Sequence, residues 1–248
     1  MLPLADRNPT SRRAYVTIAL ILVNVFVFVV WQGGGTLGTS EENEFTFDHA
    51  AIPCELKTGH PLTDVELLQN QCLDHPPRLA RQISPGKNVY LAALVSMFLH
   101  GGWVHLLGNM LFLWIFGNNI EDKLGAIPYL GFYLAGGVVA TLTQVAYEPS
   151  SVIPMVGASG AIATVMGAYL VWFPWARIVT LAFFFVVEFP AIAWLALWFV
   201  MQFFTGPDSG VAFMAHIGGF VFGAVVAAVV RQTAWWRRQP DLLYRYRR

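Results

Sequence analysis

Two short polar islands stand in very apolar surroundings, Gly157-Ala158-Ser159-Gly160 and Ala215-His216-Ile217-Gly218-Gly219. A serine hydroxyl and an imidazole are costly to place within a bilayer, so two such groups able to meet at one depth point to a functional site. The chemistry they suggest is serine-nucleophile hydrolysis, with Ser159 attacking an acyl carbon and His216 acting as general base, then as acid to the leaving amine. A second pair, His105 and Asn109, is spaced i, i+4 and shares one helix face. These two side chains could donate to an oxyanion, together with the N–H of Ser159 near the amino-terminal end of its helix. No acid is placed to orient His216, because Asp208 lies outside the apolar span, so a Ser-His dyad is the simpler arrangement.

Each residue also has a plainer reading. A serine among glycines in a membrane helix is often a packing residue, a lone intramembrane histidine can bind backbone carbonyls, and Asn109 could simply hydrogen-bond across helices. What weighs against these readings together is coincidence of depth. His105, Ser159 and His216 lie two to five residues inside their apolar spans, about 3 to 8 Å below the helix tops at 1.5 Å per residue.

The elements that must position these groups are membrane helices. The 248 residues are 56% hydrophobic and 12% charged, whereas soluble domains carry roughly 25% charged residues. Hydropathy predicts six spans of roughly 20 residues, at about 15 to 31, 102 to 119, 126 to 146, 157 to 173, 189 to 204 and 211 to 230. The expectation is an all-α, multi-pass membrane protein, a bundle of six transmembrane helices. Residues 1–14 form an amino-terminal segment, 15–230 the membrane domain with a long first loop at 32–101, and 231–248 a basic tail.

Charge sets the expected orientation. Eleven Lys and Arg residues, among them Arg12, Arg13, Lys123 and Arg177, fall on one side of this topology, and only Lys57, Arg78, Arg81 and Lys87 on the other. The positive-inside rule then places both termini in the cytoplasm and the long loop outside. The arginines of the tail are read as topology or lipid-contact residues rather than a nucleic-acid patch. Val89 to Leu99 is too short to span and reads as interfacial or re-entrant, and Ile178 to Val187 as a stretch at the cytoplasmic interface.

Small residues offer the helices a way to approach. Gly160, Ala163 and Gly167 follow i, i+3, i+7 spacing, and Gly219 and Gly223 form G-x-x-x-G. Such faces permit close backbone contact in membranes, which would dock Ser159 beside His216. Cys54 and Cys72 share the outside loop, where an oxidising compartment permits a disulfide; free thiols, or a zinc site through the C-x2-H spacing of Cys72 and His75, are alternatives.

At these positions the chain strongly resembles the rhomboid family of intramembrane serine proteases, most closely its bacterial members. The resemblance covers roughly residues 89 to 230. It rests on His100-Gly101-Gly102-Trp103-Val104-His105-Leu106-Leu107-Gly108-Asn109-Met110, Glu121 with Gly125, Gly157-Ala158-Ser159-Gly160, and Ala215-His216 followed by Gly219 and Gly223. The resemblance implies a six-helix rhomboid core and a Ser159/His216 dyad that needs no cofactor or metal. It further implies an oxyanion site using His105 and Asn109, and mainly structural roles for His100 and Glu121. Substrates would be single-span membrane proteins cut near the outer face, and the location a bacterial cytoplasmic membrane.

Two departures stand out. Many relatives carry a Trp-Arg pair in the first loop where this chain reads Asn88-Val89-Tyr90-Leu91-Ala92, and some place a tyrosine against the catalytic imidazole where Ala163 stands here. A non-enzymatic rhomboid-like scaffold would be favoured by loss of the serine or histidine, and both are present. A transporter would be expected to show inverted repeats or paired broken helices, and neither is visible in the sequence.

Overall fold

A computed structural model describes residues 2–35, 40–206, 210–233 and 236. Asp208 and the tail beyond residue 236 lie outside the described residues. A helix occupies each of the six apolar stretches: α1 (Tyr15–Phe26, continued by a π-helical turn, Val27–Trp31), α6 (Trp103–Leu124), α7 (Ala126–Tyr147), α8 (Ser159–Trp172), α9 (Ala191–Gln202) and α10 (Phe213–Gln232). Among the described residues, α7 and α10 are long and apolar enough to cross a membrane. A third candidate is α6 taken with the short helix before it, while Tyr15–Trp31, α8 and α9 are shorter apolar helices.

Glycine punctuation explains the break between α6 and α7. Gly125, at φ 85, ends α6 and begins α7, a conformation that costs a residue without Cβ little. The start of α1 is tied to the same end of α6. Glu121 accepts from the N–H groups of Val16 and Thr17 and from the Thr17 hydroxyl at 2.7 to 2.8 Å, and so satisfies donors that the first turn of a helix leaves free.

At the centre stands α8, whose Ala161, Ala163, Val165, Met166, Ala168 and Tyr169 are all buried. It packs on α6, α7, α9 and α10. Its closest approach is to α10. A Cβ at Gly223 would overlap the carbonyl of Thr164, and one at Gly167 would overlap the carbonyl of Phe220. The two backbones therefore touch where the small-residue faces predict, and Gly219 lies against the Gly160 carbonyl in the same seam.

The all-α expectation is corrected by a three-stranded antiparallel sheet of order β1-β2-β3. Strand β1 (Leu2–Asp6) pairs with β2 (Arg177–Ala182), and β2 pairs with β3 (Phe185–Pro190). The stretch Ile178 to Val187, read as lying at the cytoplasmic interface, thus forms a hairpin. Its β-branched residues Ile178, Val179, Thr180, Val186 and Val187 favour the pleated surface. The two-residue turn Phe183-Phe184 carries Phe183 at φ 56, as primed hairpin turns require.

The first loop folds as well. It contains α2 (Ser40–His49), α3 (Pro53–Thr58), α4 (Asp64–Gln69) and α5 (Val89–Val95, followed by a 3-10 turn, Ser96–Phe98). Thr63 and Glu66 form a capping box at α4, and Asn88 caps α5. A small core of Ile52, Cys54 and Leu62 takes in Val152 from the connection between α7 and α8. Beside it Lys87 Nζ lies 2.6 Å from Glu55 with both side chains buried. The helix pair Val89–Phe98 and α6 is bent by 79°, so the apolar run Val89 to Leu99 does not continue α6 in a straight line.

Candidate active site

Ser159 is the first residue of α8, so its N–H has no acceptor within the helix. His216 lies in the first turn of α10. The start of α10 is held by Gln144 of α7, whose Oε1 accepts from the N–H groups of Met214 and Ala215 at 3.1 and 3.3 Å. With α8 and α10 in backbone contact, His216 Nε2 stands 2.8 Å from Ser159 Oγ. That is hydrogen-bond reach between a nucleophile and its base.

Both groups line a cavity of about 360 Å³ together with His105 and Asn109 of α6. Phe112, Met166 and Trp198 supply apolar wall. His105 Nδ1 accepts from the Gly101 N–H at 3.2 Å, and the opposite edge of the ring lies against Gly157. Gly157 has φ +125, and a Cβ there would come within 2.8 Å of His105 Nε2, so the glycine admits the imidazole. Asn109 is buried and donates one amide hydrogen to the His105 carbonyl at 3.0 Å, which leaves a second N–H on the same nitrogen. Gly160, directly after Ser159, packs against Ala140 of α7.

His100 and Glu121 stand away from the cavity lining. His100 is buried, and its ring meets that of His105 edge-on at 5.2 Å. Its backbone is held at both N–H and carbonyl by the Gln32 side chain, at 2.8 and 3.0 Å. This contact anchors the loop that lacks the Trp-Arg pair of many relatives. Cys54 and Cys72 are joined, Sγ to Sγ at 2.11 Å, with Cα atoms 5.5 Å apart. Glu66 is the third member of that cluster, but sulfurs bonded to each other are not thiolate ligands.

Two functional contacts escaped the reading of the sequence. Gln202, the last residue of α9, presents Oε1 to His216 Nδ1 at 2.8 Å. Trp198, one turn earlier, sets its ring 5.9 Å from the imidazole at 39°. Trp198 therefore covers the ring that a tyrosine at the position of Ala163 would cover. A signal was available in that Gln202 is the lone amide in an otherwise apolar helix, and intramembrane polar groups generally have a partner.

Residues 87–233 match the Rhomboid domain. The chain is similar to "Presenilin-associated rhomboid-like protein A, mitochondrial" of Danio rerio, at 32% identity over 60% of this chain and 40% of that protein. It is 31% identical to "Presenilin-associated rhomboid-like protein, mitochondrial" of Homo sapiens, over 68% of this chain and 47% of that protein. It is also 29% identical to "Rhomboid protein 1, mitochondrial" of Saccharomyces cerevisiae, over 61% of this chain and 45% of that protein. The chain spans less than half the length of each of these relatives. All three are mitochondrial, which weakens the expectation of a bacterial cytoplasmic membrane and leaves integral membrane location in place.

Proposed function

The chain belongs to the rhomboid family, and on that premise we propose that it is an intramembrane serine endopeptidase acting on single-span membrane proteins. The observation that carries this reading is the 2.8 Å contact between Ser159 Oγ and His216 Nε2 at the wall of a cavity that also holds two side-chain donors. Ser159 Oγ attacks the scissile carbonyl while His216 Nε2 takes its proton. Negative charge collects on the former carbonyl oxygen, where the Ser159 N–H, the Asn109 amide and His105 Nε2–H can stabilise it. Collapse breaks the C–N bond, and His216 returns the proton to the departing amine. Water then gives its proton to His216 and attacks the acyl-enzyme, releasing the acid and restoring Ser159.

The six helices act as transmembrane spans in this reading, with both termini in the cytoplasm and the first-loop subdomain outside, in accord with the eleven-to-four basic asymmetry. The mouth of the site then faces the outer surface. The test is cleavage of a model single-span substrate by purified protein in lipid, run beside Ser159→Ala, His216→Ala and the double variant. All three should lose nearly all activity by similar factors, on the order of 10⁴-fold or more, because residues acting as one unit do not lose function multiplicatively. Folded Ser159→Ala protein that still cuts at near wild-type rate overturns the reading.

A further inference from the structure

Building on the dyad just described, we propose that Gln202 is the positioning residue that selects the tautomer and fixes the orientation of His216. The argument is a chain of one-way hydrogen bonds. Gln202 is buried, and its Nε2 donates to the Trp198 carbonyl at 3.0 Å, one helical turn back. A carbonyl oxygen only accepts, so the NH₂ end of the amide is committed to that bond and the oxygen end faces the imidazole. Exchanging the two ends would set oxygen against oxygen at Trp198. The amide oxygen, 2.8 Å from Nδ1, also only accepts, so Nδ1 must carry a proton. A neutral ring protonated at Nδ1 keeps its lone pair on Nε2, the atom 2.8 Å from Ser159 Oγ. That tautomer is the one able to act as general base.

Among the described residues, the helices around His216 leave this task to Gln202. Helices α7, α8 and α9 contain no Asp, Glu, Lys, Arg or His. On α10 the remaining charged residue is Arg231, fifteen positions beyond His216 and about 22 Å along the axis. On α6, His105 faces His216, while Glu121, Asp122 and Lys123 lie about 24 Å or more along the axis from His105, at the far end of that helix. A neutral amide orients the ring without the desolvation cost of a carboxylate. It also lends no negative charge to the imidazolium that forms during acylation.

The test uses reconstituted full-length protein and compares wild type, Gln202→Leu and Gln202→Glu. Gln202→Leu should lower kcat by roughly 10²-fold, at the low end of what a positioned general base contributes, with KM little changed. Gln202→Glu should recover much of that loss and move the acidic limb of the pH profile upward, since a carboxylate beside Nδ1 favours the imidazolium. A residue that merely packs would not move that limb. As a second readout, ¹⁵N NMR of labelled histidine in the Ser159→Ala background should show His216 protonated at Nδ1, and Gln202→Leu should lose that preference. If both variants fold with wild-type kcat and pH profile, or if NMR finds the proton on Nε2 beside an intact Gln202, the assignment is wrong. Should Ser159→Ala instead retain cleavage, the protease reading fails while the NMR result still decides the tautomer.

Discussion

Gly101 donates its backbone N–H to Nδ1 of His105 at 3.2 Å, which makes that nitrogen the acceptor and leaves the proton of a neutral ring on Nε2. The protonated edge is the one lying against Gly157, two residues before Ser159. His105 is therefore presented as a donor to the site, as an oxyanion partner must be.

Removing one oxyanion donor usually costs on the order of 10²-fold in turnover. Asn109→Ala should lower kcat by about that factor while the protein stays folded. His105→Ala should also slow cleavage, with lost ring packing on His100 adding to the effect. Unchanged turnover in folded Asn109→Ala protein would place the oxyanion hole elsewhere.

The seam between α8 and α10 makes opposite predictions for two glycine substitutions. Gly223→Ala drives a methyl group into the Thr164 backbone, so stability should fall by about 1 to 3 kcal/mol and activity with it. Gly131→Ala meets nothing within 4 Å on α7 and should be neutral or stabilising, by about 0.5 to 1 kcal/mol. Thermal melts in detergent of both variants decide this; similar behaviour of the two would remove the packing argument.

The first-loop subdomain is tied to the segment that leads into Ser159. Cys54 N–H donates to the Ser151 carbonyl at 3.0 Å, and Met155 N–H to the Ala51 carbonyl at 2.7 Å. The Cys54–Cys72 bond closes a loop across a separation of 18 residues, for which a stabilisation of about 3 kcal/mol is usual. A Cys54→Ser, Cys72→Ser double variant should lose stability of that order and turn over more slowly, because residues 151–155 lead into Ser159. Mass spectrometry after alkylation without reductant should find the two cysteines linked. Two alkylated thiols in protein taken from native membranes would rule the bridge out.

Docking of the amino-terminal strand should depend on pH. Asp6 accepts from the Tyr169 hydroxyl at 2.6 Å and the Asn119 amide at 2.7 Å, and burial pushes its carboxyl up from the usual 3.8 to about 6, although those hydrogen bonds pull the other way. The docked strand thus holds the proton more tightly than a released one. Docking should weaken as pH rises from about 4 to about 6 and level off above that. Limited proteolysis of residues 1–14 across this range measures the slope, and Asp6→Asn should flatten it. A wild-type profile without slope, or one that rises with pH, contradicts the assignment.

The sequence by itself determined the places of the six apolar helices to within a few residues, the break at Gly101-Gly102, and the small-residue faces of α8 and α10. These signals are local, because apolar periodicity and glycine punctuation act within a turn or two of the chain. It also singled out Ser159, His216, His105 and Asn109, since polar groups are conspicuous against apolar neighbours. The tertiary structure alone decided the rest. Strand β1 meets β2 across more than 170 residues, and its hairpin partner turns on Phe183-Phe184 instead of the usual Asn-Gly or Gly pair, so no turn signal announced the hairpin and no local one its pairing with β1. The partners of His216 belong to the same class. Gln202 and Trp198 reach the imidazole because α9 packs beside α10, and which side chain faces a ring across a helix interface depends on rotation and depth that no single segment encodes.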